Sequence, residues 1–136
     1  MTMNINISTK GSILFGGKNI NFSHKYQLPI RRVLITKELV YVLLYPENDD
    51  RKSEGYKEYD KNNLFAFDFE GDLKWRTGKL IRETYRKDGV LYEYAPVSIS
   101  LDNNLLILDY GSIALKVWLN PMTGEIVKQE EDKYRF

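Results

Sequence analysis

The stretch that decides the fold is Asn63-Leu64-Phe65-Ala66-Phe67-Asp68, followed by Phe69-Glu70-Gly71-Asp72-Leu73-Lys74-Trp75-Arg76. Residues 63–68 alternate along the chain in the way that is typical of a β-strand. The Glu-Gly-Asp triplet indicates a turn, and residues 73–76 resume a strand pattern. Because a turn joins two strand patterns, we predict an antiparallel pair of strands over residues 63–76.

Strand patterns recur throughout the rest of the chain. Residues 39–45 are apolar on both faces, which predicts a central strand with a layer on each side. No stretch of twelve or more residues has the apolar spacing of an amphipathic helix. Turn dipeptides between short runs predict two further hairpins: 12–15 with 19–23 around Gly16-Gly17, and 80–86 with 90–94 around Asp88-Gly89.

The chain contains an internal repeat. Segments 32–76 and 94–128 share one order of strands and turns, and a period of about 40 to 50 residues is typical of propeller blades. A closed propeller needs about four or more blades, each of four strands, and 136 residues are too few for that. We therefore predict one all-β domain over residues 1–136, with antiparallel meanders forming two to three blade-like sheets. These sheets pack as an open stack or sandwich and not as a closed ring.

Residues 64–75 resemble the repeat of quinoprotein-like (PQQ-repeat) β-propellers. In that family a strand with the pattern hydrophobic-x-Ala-x-Asp is followed by Thr-Gly-x-x-x-Trp, whose Trp docks between blades. Val117-Trp118-Leu119-Asn120-Pro121-Met122-Thr123-Gly124-Glu125-Ile126-Val127 is similar to a second, degenerate copy. The first copy has no Thr before Gly71, and the second has Lys128 where the docking Trp would stand. The quinone of the enzyme members lies at the centre of a full ring, so the resemblance implies no cofactor here.

Composition and charge exclude several classes of protein. The chain has 20 basic and 19 acidic residues, a net charge of +1, so it lacks the basic excess that is typical of nucleic-acid binders. It has no cysteine, which excludes disulfides and cysteine-based zinc sites. Residues 1–7 do not read as a signal peptide. The apolar run 39–45 is far shorter than the ~20 residues of a membrane helix. We therefore expect a cytoplasmic protein of bacterial origin that does not associate with a membrane.

Candidate catalytic groups are sparse. His24 is the only histidine, so a metal site with two His ligands is impossible, and we expect His24 to lie at a strand edge on the surface. Ser23 precedes it, but neighbours in a strand face opposite sides of the sheet. The alternative is an enzyme that uses two carboxylates, as glycoside hydrolysis does. Nothing in the sequence pattern selects two of the acidic residues for that role. We predict that the protein is not an enzyme and that it has no metal or cofactor.

The main functional prediction is a protein-binding module. Residues 47–62 form a long hydrophilic segment with both signs of charge, and long loops in compact domains are often functional. Small blade-like bacterial proteins without cysteine resemble immunity or inhibitor proteins that neutralise a toxin, and the acidic side chains would face a basic toxin domain. The predicted partner-binding residues are Glu47, Asp49, Asp50, Glu54, Tyr56, Glu58, Tyr59, Asp60, Arg82, Tyr85 and Arg86.

Two other functions stay open at this point. The missing blades suggest a subunit of an oligomeric, propeller-like assembly. A hairpin with basic residues around Tyr85 suggests a protein that binds single-stranded nucleic acid, through phosphates and stacking. The basic residues concerned are Lys79, Arg82, Arg86 and Lys87.

Overall fold

The structure is a computed structural model that describes residues 5–8, 11–46, 59–83 and 89–131. The described residues are nearly all β, in antiparallel sheets that do not close into a barrel, which confirms the predicted fold class. One short helix, α1, spans Phe22–Tyr26, and a 3₁₀ turn spans Gly111–Ile113. The strands are β1 (Asn6–Ile7), β2 (Ser12–Leu14), β3 (Asn19–Asn21), β4 (Ile30–Ile35), β5 (Val40–Leu44), β6 (Leu64–Phe67), β7 (Leu73–Thr77), β8 (Leu80–Glu83), β9 (Leu91–Tyr94), β10 (Ser98–Asp102), β11 (Leu105–Tyr110), β12 (Leu115–Leu119) and β13 (Ile126–Glu131).

Two four-stranded meanders form the body of the protein. The first sheet has the order β4-β5-β6-β7 and the second has the order β10-β11-β12-β13, with every pair antiparallel. The predicted strand pair over 63–76 is β6 with β7. Between β10 and β11, Asn103 and Asn104 both have positive φ angles, of 47° and 66°. Two consecutive residues with positive φ are typical of a type I′ hairpin turn, and Asn adopts this conformation more easily than most residues.

The N-terminal part forms a separate small unit, which we call the N-terminal cover: β1, β2, β3 and α1. The predicted hairpin around Gly16-Gly17 is present as β2 and β3. The strand predicted to reach Ser23 ends at Asn21, because the Asn21 side chain accepts a hydrogen bond from the His24 amide at 3.0 Å and starts α1. The expectation that His24 lies at a strand edge is therefore wrong. It lies in this helix, and its side chain is exposed.

Three layers enclose two hydrophobic clusters. The first cluster lies between the two sheets and contains, from the first sheet, Tyr41, Leu43 and Leu64, and from the second, Leu106 and Leu108 among others. The second cluster lies on the opposite face of the first sheet, which the N-terminal cover buries. Its members are Ile13, Phe15, Phe22, Leu28, Val40, Val42, Leu44, Phe65 and Phe67. Every residue of β5 is buried, so the prediction of a central covered strand is confirmed.

A two-stranded hairpin, β8 with β9, stands apart from both larger sheets in its hydrogen bonding. Leu80 and Tyr94 pair across its base, and both pack against the first cluster. Because neighbouring residues of a strand face opposite sides, Ile81 and Leu91 lie on the face that points away from this contact. The hairpin predicted around Asp88-Gly89 is thus present as β8 and β9, and residues 84–88 lie outside the described residues.

Candidate functional site

Of the eleven predicted partner-binding residues, the structure describes Tyr59, Asp60 and Arg82. The remaining eight lie outside the described residues: Glu47, Asp49, Asp50, Glu54, Tyr56, Glu58, Tyr85 and Arg86. The three that are described come from the end of the charged segment 47–62 and from the hairpin, the two parts of the predicted interface.

Tyr59 is a packing residue. Its ring is partly buried against the second hydrophobic cluster, and its centroid is 6.1 Å from that of Tyr45. The ammonium nitrogen of Lys61 lies 3.5 Å from the Tyr59 ring centroid, within the range of a cation–π interaction. Lys61 is itself buried, so its charged group lies inside the protein in contact with the Tyr59 ring. Because Tyr59 is held in this way, its loss would disturb the fold as well as any interface.

Residues 60–63 form a polar anchor that fixes the end of the charged segment. The Asp60 carboxylate accepts hydrogen bonds from the Asn62 amide at 2.9 Å and from the Arg76 guanidinium at 3.1 Å. Arg76 also donates through Nε to the Asn62 carbonyl at 2.6 Å. These bonds hold residues 60–62 against β7, with the Asp60 carboxylate at the surface.

Asn63 joins the two sheets at the same place. It is almost fully buried, and its Nδ2 donates to the Leu44 carbonyl at 2.6 Å and to the Pro96 carbonyl at 3.1 Å. Its Oδ1 has no hydrogen-bond partner in the described structure. Nearby, the Tyr110 hydroxyl donates to the Gly78 carbonyl at 2.5 Å. Burial raises the pKa of Tyr110, so this hydroxyl stays protonated and acts as a structural donor.

The polar anchor and the hairpin are neighbours. The Lys79 amide, one residue before β8, donates to the Asn62 side chain at 3.0 Å. Lys79 also forms an ion pair with Glu93 of β9 at 3.8 Å. Arg82 forms an ion pair with Glu131 of β13, which ties the hairpin to the edge of the second sheet. The charged segment and the hairpin, which the sequence suggested as one interface, therefore meet at Asn62 and Lys79.

The hairpin carries an exposed apolar surface that sequence reasoning missed. We define the hairpin surface as Ile81, Val90, Leu91 and Tyr92, whose relative exposures are 55%, 49%, 67% and 43%. The β-strand pattern of these residues was visible in the sequence, but a pattern does not show whether a third layer covers a face. In the structure these side chains lie on both faces of the hairpin: Leu91 shares the outward face with Ile81, whereas Tyr92 pairs with Arg82 on the other face. No described element buries any of the four.

The two tryptophans lie at opposite faces of the second sheet and make different contacts. Trp75 of β7 lies between the sheets: its indole Nε1 donates to the Pro121 carbonyl at 3.1 Å. A Cβ atom at Gly124 would come within 2.8 Å of the indole ring, so the ring packs directly on that glycine. Trp118 lies on the opposite face, where the Lys128 ammonium is 4.3 Å from its ring centroid.

The outer face of the second sheet is mostly charged or polar. Trp118 pairs with Lys128, and Lys116 pairs with Asp109 on one side and with Glu130 on the other. A row of charged side chains on one face of a sheet is costly to bury under a further apolar layer. The stack of sheets therefore ends here, while the N-terminal cover ends it on the other side.

The part of the chain that the structure describes contains no cluster of metal-binding side chains. No three His, Cys, Asp or Glu side chains come together as a metal site there. Within the same residues, no helix is long and apolar enough to cross a membrane. Comparison of the chain with protein-family models, with curated proteins and with solved structures found no match.

Proposed function

We propose that the protein is a non-enzymatic module that binds another protein, and that its partner is a bacterial toxin domain that it inhibits. The observation that carries the proposal is the hairpin surface, four exposed apolar side chains of one small hairpin, of which Ile81 and Leu91 share the outward face. Grouped apolar side chains that stay exposed on a soluble domain mark an interaction surface more often than single ones do. Tyr and branched apolar side chains on a rigid strand also lose little conformational entropy on binding.

The charge next to the hairpin indicates the chemistry of the partner. Segment 47–61 contains six acidic and four basic residues, and the polar anchor fixes its last residues beside β8. A segment of net negative charge whose last residues lie beside the hairpin favours a partner with a basic surface, and such charge accelerates the encounter. A nuclease toxin has such a surface because it must bind phosphates.

The test is binding to the product of the adjacent gene. We expect Leu91→Glu to weaken that complex about tenfold or more, because a charge placed in an apolar contact is desolvated without a partner. The control is Leu73→Glu, which introduces the same charge on β7 at a residue that is 50% exposed. Calorimetric titration gives the affinity, and circular dichroism checks that both variants fold.

An inhibition assay completes this experiment. The wild-type protein and Leu73→Glu should suppress the activity of the partner, whereas Leu91→Glu should require a correspondingly higher concentration. Equal affinity of the wild type and Leu91→Glu would rule out the hairpin surface as the interface. A complex that forms without any loss of toxin activity would rule out the inhibitor role.

Self-assembly into a ring is the competing explanation of the missing blades. The outer face of the second sheet would have to receive another blade, but it carries Lys116, Lys128 and Glu130. We therefore expect a monomer. Sedimentation analysis at micromolar concentration should return the mass of one chain, and a concentration-independent oligomer would favour the assembly instead.

Nucleic-acid binding has less support from the described residues. Of the four basic side chains suggested for it, Lys79 pairs with Glu93 and Arg82 pairs with Glu131. Each pair cancels a positive charge that phosphate contacts would need. Arg86 and Lys87 lie outside the described residues.

A further inference from the structure

A cavity of about 680 Å³ lies at the end of the two sheets that is opposite to the hairpin. Three turns meet there: the β4–β5 turn, the β10–β11 turn and the β12–β13 turn. The volume is within the range of small-molecule sites, roughly 300 to 1,000 Å³. The residues that line it are Thr36, Glu38, Tyr41, Leu101, Asp102, Asn103, Asn104, Leu105, Asn120, Pro121 and Met122.

Hydrogen bonds fix the walls of this cavity. The Tyr41 hydroxyl donates to the Pro121 carbonyl at 2.9 Å, so a residue of the first sheet holds a turn of the second. The Asn120 side chain accepts a hydrogen bond from the Met122 amide at 2.9 Å, which shapes that turn. In the β4–β5 turn, the Thr36 hydroxyl accepts a hydrogen bond from the Leu39 amide at 3.1 Å. A cavity with fixed walls loses less entropy when a ligand binds than a flexible one does.

The charge of the walls has one sign. Glu38 and Asp102 both line the cavity, one from a turn of each sheet, and no Lys, Arg or His lines it. Neither carboxylate has a basic partner among the residues that the structure describes. Such a cavity favours cations and disfavours anions.

The walls of the cavity also contain exposed apolar surface. Leu101 is 45% exposed and Met122 is 52% exposed, both at the cavity. Amides of three Asn side chains supply further hydrogen-bond acceptors around this surface. A ligand that matches the cavity thus needs an apolar body together with donors and positive charge.

We propose that this cavity binds a linear organic dication, an aliphatic diamine or an aminoalkyl guanidine. Each charged end would contact one carboxylate, Glu38 or Asp102, and the methylene stem would cover Leu101 and Met122. A bare metal ion does not suit the site, because it would leave the apolar walls exposed and no described group of three metal-ligating side chains exists. The site is at the other end of the sheets from the hairpin surface, so it is independent of the proposed protein partner.

The test uses three molecules of equal length that differ in charge: 1,4-diaminobutane, 1,4-butanediol and succinate, with agmatine as the guanidinium form. We expect calorimetric titration to detect binding of the diamine and of agmatine, and no binding of the diol or of succinate. Added salt should weaken the binding, since the contacts are ion pairs near solvent. Binding of the diol at the strength of the diamine would overturn the proposal, as would the absence of diamine binding at millimolar concentration.

Variants locate the site. Glu38→Gln and Asp102→Asn should each weaken diamine binding about two- to fivefold, the range of a partly exposed ion pair, and the double variant should weaken it about tenfold. Glu125→Gln is the matched control: it removes an exposed carboxylate from the neighbouring turn that does not line the cavity. Unchanged binding in a folded double variant would show that the diamine binds elsewhere and would overturn the assignment.

Discussion

Gly78→Ala should lower the free energy of unfolding by about 3 kcal/mol or more, through backbone strain and steric overlap together. Gly78 has a φ angle of +139°, which residues with a side chain rarely adopt. An added Cβ would lie 2.8 Å from the Asn63 Oδ1 and 2.8 Å from the Lys61 carbonyl oxygen. The Asn63 side chain is held in place, because its Nδ2 donates hydrogen bonds to the Leu44 and Pro96 carbonyls. Urea denaturation with a constant m-value measures the loss.

Gly89→Ala separates the two causes of that loss. Gly89 also has a positive φ angle, +79°, but no atom of the described residues lies within 4 Å of an added Cβ. It should therefore show only the strain of a left-handed residue, about 1–2 kcal/mol. Equal losses in the two variants would mean that Asn63 moves aside at little cost, and that the polar anchor is not rigid.

Phe22→Ala should lower the free energy of unfolding by about 4 kcal/mol, in the range for a large aromatic side chain lost from a core. Phe22 has no exposed surface. Its ring centroid lies 5.6 Å from that of Phe67 and 6.0 Å from that of Phe65. Together with Tyr26, whose ring centroid lies 4.7 Å from that of Phe65, it packs α1 of the N-terminal cover on the first sheet. Without it, the outward face of β5 and β6 loses part of its cover, and binding of a hydrophobic dye should increase.

Leu14→Ala is the control in the same unit. Leu14 belongs to β2 but is 45% exposed, so its truncation should cost less than about 1 kcal/mol. A loss of similar size in Leu14→Ala and Phe22→Ala would contradict the role given to Phe22. It would indicate that the N-terminal cover contributes through its strands and not through this ring.

Much of the fold could be predicted because its signals are local. The apolar run 39–45 indicates a strand that is covered on both sides, and β5 is buried on both faces. The turn at Glu70-Gly71-Asp72 depends on neighbouring residues, and so does the hairpin around Gly16-Gly17. Helix α1 was missed because Phe22 continues the alternation of Ile20, while the feature that ends the strand, the Asn21 cap, is a single side chain.

The candidate sites depend on contacts between distant parts of the chain, so the sequence predicted less of them. Composition drew attention to the charged segment 47–62, but it could not show that Tyr59 packs inward. The hairpin surface was missed because the pattern of a strand does not reveal which of its side chains lack a neighbour. The cavity is formed by turns that are far apart in the chain, so no spacing of Glu38 and Asp102 could have predicted it.

The contact of Lys128 with Trp118 also limits how this architecture can lengthen by gene duplication. A tandem copy of residues 98–131 added beyond the second sheet would meet the charged row of Lys116, Lys128 and Glu130, and could not share a core with it. A copy inserted between the two existing sheets would meet apolar faces on both sides. Longer relatives of such a protein would therefore arise by internal insertion, with the two terminal layers retained.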